Sequence, residues 1–127
     1  MKLEHEVELR VRYPECDPMG IVHHSRYFIY FEIARTELYR LNGGDYRQME
    51  ESGRFFVVVN ADCKYMKPAR YDDILRITIK VEKVTRAKIV HEYKIHRGDD
   101  LLAVAHITLA MINREGKIIL IPEEFQK

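Results

Sequence analysis

The sequence is short of several things, and each shortage removes a class of protein. Only two cysteines, Cys16 and Cys63, occur in 127 residues, and they stand far apart. That excludes a disulfide framework and a zinc ribbon, and free thiols fit a reducing cytoplasm. Surplus charge is nearly absent, since 21 Lys and Arg oppose 20 Asp and Glu for a net of +1. Such a balance exerts no general pull on nucleic acid or an anionic membrane, so any anion site must be a local patch. No apolar run approaches the roughly 20 residues of a membrane helix. The opening residues, MKLEHEVELRVRY, contain no apolar signal core. No repeat, low-complexity segment or linker breaks the chain. We expect one cytoplasmic domain over residues 1–127, with no nucleic-acid partner and no membrane insertion.

What is present suffices for a core. Apolar residues make up 46% and charged residues 32%, and a chain of this length buries roughly two-thirds of its unfolded surface. Val7, Leu9, Val11 and Tyr13 alternate with charged residues, as in a half-buried strand that Pro14 ends. Cys16 to Gly20 is turn material. From about His24 the period changes. Tyr27, Phe31, Ala34, Leu38 and Leu41 form one stripe on a helix of about 18 residues, roughly 27 Å long. Phe28, Tyr30 and Ile33 widen that stripe, so the helix should be wrapped on most sides. Asn42-Gly43-Gly44 stops it, and Asp45 can cap a short helix from Tyr46 to Ser52.

The remainder reads as strand. Phe55, Val57, Val59, Ala61, Cys63 and Tyr65 share one face. Leu75, Ile77, Ile79 and Val81 alternate with polar residues. Ile89 to His96 and Leu101 to Ile112 flank a hairpin turn at Arg97 to Asp100, and Ile118 to Ile121 adds a short edge piece. Short connections imply antiparallel neighbours. One buried helix and one antiparallel sheet imply an α+β fold in which the sheet curves around the helix. Its long free edge calls for a partner, so we expect a homo-oligomer joined edge to edge.

The chemistry concentrates in ECDPMGIVHHSRYFIYFEIARTEL, Glu15 to Leu38. Asp17 fits a turn or cap position. It also precedes a helix whose free amide groups and dipole make an oxyanion site. Beside such donors a carboxylate can attack a polarised carbonyl or activate water. His23 and His24 point about 100° apart on a helix and suit no shared metal. One of them can pack while the other is solvated, or His24 can line a pocket and offer its backbone N–H. Cys16 could act as a nucleophile with these histidines or simply pack. Glu32 and Arg35 suit an ion pair, largely buried if the helix is wrapped. His91 and His96 fall on opposite faces of a strand. His106 suits a half-buried strand position. Tyr27 and Phe31 read as core. Lys64, Lys67, Arg70, Arg86 and Lys88 are candidates for phosphate contacts, with Arg86-Ala87-Lys88 the densest group.

The segment CDPMGIVHHSRYFIYFEIARTEL resembles the Asp-x-x-Gly-x-x-x-His-x-x-Tyr signature of hotdog-fold acyl-CoA thioesterases, through Asp17, Gly20, His24, Tyr27, Phe31, Glu32, Ala34 and Arg35. These are the 4-hydroxybenzoyl-CoA thioesterase family and the Tol–Pal-associated acyl-CoA thioesterase group. NADCKYMKPARYDDILRI, Asn60 to Ile77, resembles the family's second strand and following turn. The resemblance implies hydrolysis of an acyl-CoA thioester to a free acid and CoA, by a dimer or tetramer with sites between subunits. It implies that Asp17 is the catalytic carboxylate and that amides near His24 polarise the carbonyl. Gly20, Tyr27, Phe31, Arg86 and Lys88 would bind substrate. No metal or redox cofactor is implied, and CoA enters with the substrate. His23-His24 stands where 4-hydroxybenzoyl-CoA enzymes carry Trp-Tyr and the Tol–Pal group carries Tyr-His, so His24 favours the second group. The alternative is a hotdog module that binds acyl-CoA or an acyl carrier protein without hydrolysis. A hotdog hydratase fits less well, because those enzymes place their Asp and His differently.

Overall fold

A computed structural model of the chain describes residues 1–125. Strand β1 (Glu4–Arg10) comes first and leads into a 3-10 turn at Tyr13–Glu15. Helix α1 (Arg26–Leu41) and helix α2 (Tyr46–Glu51) follow. Then come β2 (Phe55–Tyr65), β3 (Ile74–Val84), β4 (Ile89–Arg97), β5 (Asp100–Ile112), β6 (Ile118–Ile119) and a 3-10 turn at Glu123–Phe125. The six strands form one sheet ordered β1-β3-β4-β5-β2, with β6 paired to β5, and every pairing is antiparallel. This is the α+β hotdog arrangement, a curved sheet around one long helix.

Period-2 patterning builds the sheet. Leu75, Ile77 and Ile79 turn inward, each at most 1% exposed, while Arg76, Thr78 and Lys80 turn away. The two-residue loop Gly98-Asp99 closes the β4–β5 hairpin, with Arg97 opposite Asp100 and Gly98 at φ +57°. Opposite the sheet, α1 contributes Tyr27, Tyr30, Phe31, Ala34 and Leu38 to the core. Asp45 caps α2 by accepting the Gln48 N–H at 3.3 Å.

Three expectations need correction. The helix begins at Arg26, not at His24, because the His23-His24 pair belongs to the preceding turn. It is also not wrapped on most sides. The sheet covers one face, leaving Ile29 and Ile33 each 42% exposed and Leu41 49% exposed. Finally, β2 does not keep one face along its length. A bulge between Val58 and Asn60 shifts the register. Phe56 and Cys63, seven positions apart, therefore both pack against the core. Strand β2 ends the sheet, and Val58 and Val59 on it are 54% and 55% exposed.

Candidate active site

The site begins where β1 ends. The Val11 N–H donates to the Asp73 carbonyl at 2.9 Å, which ties this corner to the β2–β3 connection. After the 3-10 turn the chain doubles back. Cys16 bridges Val22 and Ile21 bridges Arg70, both antiparallel. The tip Asp17–Gly20 is closed by the Asp17 N–H on the Ile21 carbonyl at 2.8 Å and the Gly20 N–H on the Asp17 carbonyl at 2.9 Å. Gly20 sits at φ +80°, a conformation that penalises any side chain.

Asp17 is half-buried. Its Oδ1 accepts N–H groups from Met19 at 2.8 Å and Ile21 at 3.4 Å, while Oδ2 accepts none among the described residues. The turn role and the chemical role are thus compatible. One oxygen holds the loop and the other is unclaimed.

The same loop delivers the start of α1. His23 and His24 stack with ring centroids 4.2 Å apart, and His23 Nδ1 lies 2.8 Å from Ser25 Oγ. Both imidazoles are exposed. The His24 carbonyl accepts the Tyr65 hydroxyl at 3.0 Å, whereas the His24 N–H has no acceptor among the described residues. Tyr65 also packs edge-on against Tyr27 at 4.9 Å. Sequence reasoning missed this tether from β2, since nothing local links positions 41 apart.

Glu15 is a second carboxylate in the stretch, only 6% exposed. It accepts the Arg12 N–H at 2.8 Å, the Tyr30 hydroxyl at 2.9 Å and the Arg12 guanidinium at 3.0 Å. Burial raises its pKa, but the Arg12 N–H, the Tyr30 hydroxyl and the Arg12 side chain overcome that and hold it below the usual value. Glu15 therefore anchors the base of the loop. Burial pushes the Cys16 thiol up, and Glu15, Asp17 and Asp73 push it further, which opposes a reactive thiolate.

Tyr27 and Phe31 are 2% and 0% exposed and belong to the core of the protomer. The Tyr27 hydroxyl accepts the Ala69 N–H at 3.3 Å, and Phe31 stacks against Tyr93 at 4.8 Å. The expected buried Glu32–Arg35 pair is only half buried. Arg35 is 13% exposed but Glu32 is 70% exposed at 3.9 Å, because Glu32 lies on the face of α1 that the sheet leaves open.

Arg86 and Lys88 lie in the β3–β4 turn, a full strand length from the Asp17 corner of the same protomer. Arg86 pairs there with Glu123 at 3.0 Å. His106 sits on the outer face of the sheet, 3.4 Å from Glu92, 3.8 Å from Glu82 and 3.5 Å from Asp62. Glu82, Glu92 and His106 are the group that could hold a metal ion among the described residues. They face away from the helix and take no part in the Asp17 corner. Among the described residues no helix is long and apolar enough to cross a membrane.

The family model described as "Thioesterase superfamily" matches residues 19–104. A putative esterase of Aquifex aeolicus is 40% identical over 91% of this chain and 89% of its own. The acyl-CoA thioesterase YbgC of Haemophilus influenzae is 34% identical over 91% of this chain and 87% of its own. Among solved structures, the DHNA-CoA thioesterase of Staphylococcus aureus superposes with a TM-score of 0.92 at 28% identity, over 98% of this chain and 85% of that one.

Proposed function

This chain belongs to the thioesterase superfamily, and from that membership we propose that it hydrolyses an acyl-CoA thioester to a free acid and CoA. One observation carries the reading beyond family membership. A single tight loop presents, near the start of α1, an Asp17 oxygen and a His24 N–H that have no partner among the described residues. In the proposed reaction the His24 N–H, aided by the helix dipole, binds the thioester oxygen more strongly as charge develops there. Asp17 takes a proton from water, whose oxygen bonds to the acyl carbon. Collapse then breaks the C–S bond, and the leaving thiolate takes up the proton. In the covalent variant an Asp17 oxygen bonds to the acyl carbon first, the C–S bond breaks to release the thiolate, and water hydrolyses the resulting anhydride to the free acid and Asp17, its proton passing to the thiolate. Heavy-oxygen water in a single turnover separates the two, since label enters Asp17 only by the covalent route. The reaction so written uses no metal or redox cofactor. We place it in the cytoplasm, where the free thiols of Cys16 and Cys63 are stable.

The exposed edge of β2 supports an oligomer as the working unit. Two copies paired antiparallel across β2 would bring the β3–β4 end of one protomer toward the Asp17 corner of the other. Arg86 and Lys88 would then reach the CoA phosphates of a site in the partner, and His24 would border the acyl group, with Tyr27 and Phe31 behind it in the core. Asp17→Asn tests the central assignment. It should keep the fold and lower turnover about 10³–10⁴-fold in a thiol-release assay, while Cys16→Ser keeps most activity. The reverse result would move the chemistry to the thiol. Tight acyl-CoA binding without thiol release would favour the binding module.

A further inference from the structure

The far end of α1 holds a buried charge that hydrolysis does not use. Arg35 is 13% exposed, and its closest carboxylate, Glu32, lies 3.9 Å away in solvent. Its guanidinium reaches the Tyr93 hydroxyl at 3.5 Å and engages the Tyr46 hydroxyl. Both phenols are neutral, because burial pushes Tyr93 up to about 12 and raises Tyr46 as well. Arg35 Nε has no partner among the described residues. Nearby on β4, His91 is 6% exposed and its Nδ1 is likewise unpartnered among those residues. Burial, and then the Arg35 charge, lower the His91 pKa to about 3, so the ring is neutral at pH 7 and can donate from one nitrogen.

Both side chains line a cavity of about 420 Å³ between the second half of α1, α2, the inner face of the sheet and Phe125. That volume falls in the range of small-molecule sites. The remaining wall combines an apolar patch, including Leu38, Met49, Leu109 and Phe125, with polar residues nearer the surface, among them Asp45 and the Arg54–Glu124 pair at 3.4 Å. A buried cation calls for a counter-charge, and a planar guanidinium matches a carboxylate. Arg35 is the buried cation of the lining and balances one negative charge, while the apolar patch accepts a hydrocarbon tail.

We propose that this cavity binds a free aliphatic monocarboxylate, with its anion on Arg35 and His91 and its tail along Leu38, Met49, Leu109 and Phe125. Within one protomer the site is separate from the Asp17 corner, since Arg35 lies nine residues, about 14 Å of helix rise, beyond the start of α1 at Arg26. It does not depend on the chain being a hydrolase.

Calorimetric titration of the full chain with octanoate and with 1-octanol tests it at pH 7. Octanoate should bind at one site per chain at least tenfold more tightly than the alcohol. Arg35→Met should bring the two ligands within threefold of each other. Should that variant not fold, octylamine against the wild-type chain serves instead, and it should bind at least tenfold more weakly than octanoate. No saturable octanoate binding, or equal affinity for acid and amine, would overturn the proposal. Asp17→Asn should leave octanoate binding unchanged. Its loss there would place the acid at the reaction corner and also overturn the proposal, whereas loss of hydrolysis alone in that variant leaves it standing.

Discussion

The two ends of α1 solve opposite problems with polar side chains. At the amino end the polar groups are held at the surface by turns. Asp17 is half-buried, His23 and His24 are exposed, and the loop around them is fixed by backbone bridges rather than by packing. At the carboxyl end Arg35 and His91 are buried inside the core, among phenols and aliphatic side chains. An exposed corner is cheap to build but excludes water only when something covers it. A buried charge is costly and leaves unpaired nitrogen atoms that a suitable ligand can satisfy. The difference separates two kinds of residue. Changes at the open end should alter rates with little effect on stability, and changes at the closed end should alter stability and its response to pH.

After the loss of Asp17 itself, the largest expected effect comes from denying the open end its cover. Replacing both Val58 and Val59 with Lys places charge on an edge now occupied by two exposed apolar side chains. Analytical ultracentrifugation should show the proposed oligomer shifting to monomer. Thiol release should fall about a hundredfold or more, the scale of loss when reacting groups are misplaced by about 1 Å. A monomer with full activity would show that the Asp17 corner is complete in one chain.

A smaller effect separates Glu15 from Asp17, two positions away. Glu15→Ala removes a buried acceptor of four hydrogen bonds and strands the Tyr30 hydroxyl. Chemical denaturation should show a loss of about 2 kcal/mol. Asp17→Asn, which leaves a carbonyl oxygen to accept the Met19 N–H, should change stability by under about 1 kcal/mol.

Much of this contrast could be read in the sequence, and the reasons for the rest are physical. The alternation over Leu75–Val81 and the stripe from Tyr27 to Leu38 are local periodicities, so β3 and the inner face of α1 were legible. So were the turn at Asp17–Gly20 and the cap at Asp45. The bulge at Val58–Asn60 was not, because β-branched residues fill the run with no glycine to mark it. Glu32 could not be judged exposed without knowing which face of α1 the sheet covers. The closed end did leave a signal. His91 has the same parity as Ile89, Tyr93 and Ile95, all inward, and Arg35 lies four positions after Phe31 and three before Leu38. Their meeting depends on tertiary packing across 56 positions, which no local pattern encodes. Two candidate residues, Arg86 and Lys88, are placed far from Asp17 in one protomer, and only pairing of chains could reunite them.

The smallest effect is the most specific to the closed end. His91 is buried uncharged, with a pKa held near 3 against an ordinary value of 6.5. Between those values the unfolded chain binds a proton that the folded chain refuses. The stability contributed by this group is therefore complete above about pH 6.5 and declines as pH falls toward 3. The slope approaches about 1.4 kcal/mol per pH unit once the unfolded histidine is fully protonated. Glu15 acts in the same direction, but only below its usual carboxylate range, so the interval from pH 6.5 to 5 reports on His91. Denaturant titrations there should show the wild-type chain losing stability with acid, and His91→Phe should flatten the trend. Arg35→Met sharpens the comparison further. Burial is the leading cause of the His91 shift and the Arg35 charge the second. Removing the charge should therefore reduce the lowering of the His91 pKa without abolishing it. A trend that vanished with Arg35 alone would make the buried charge, rather than the dry surroundings, the reason His91 stays neutral.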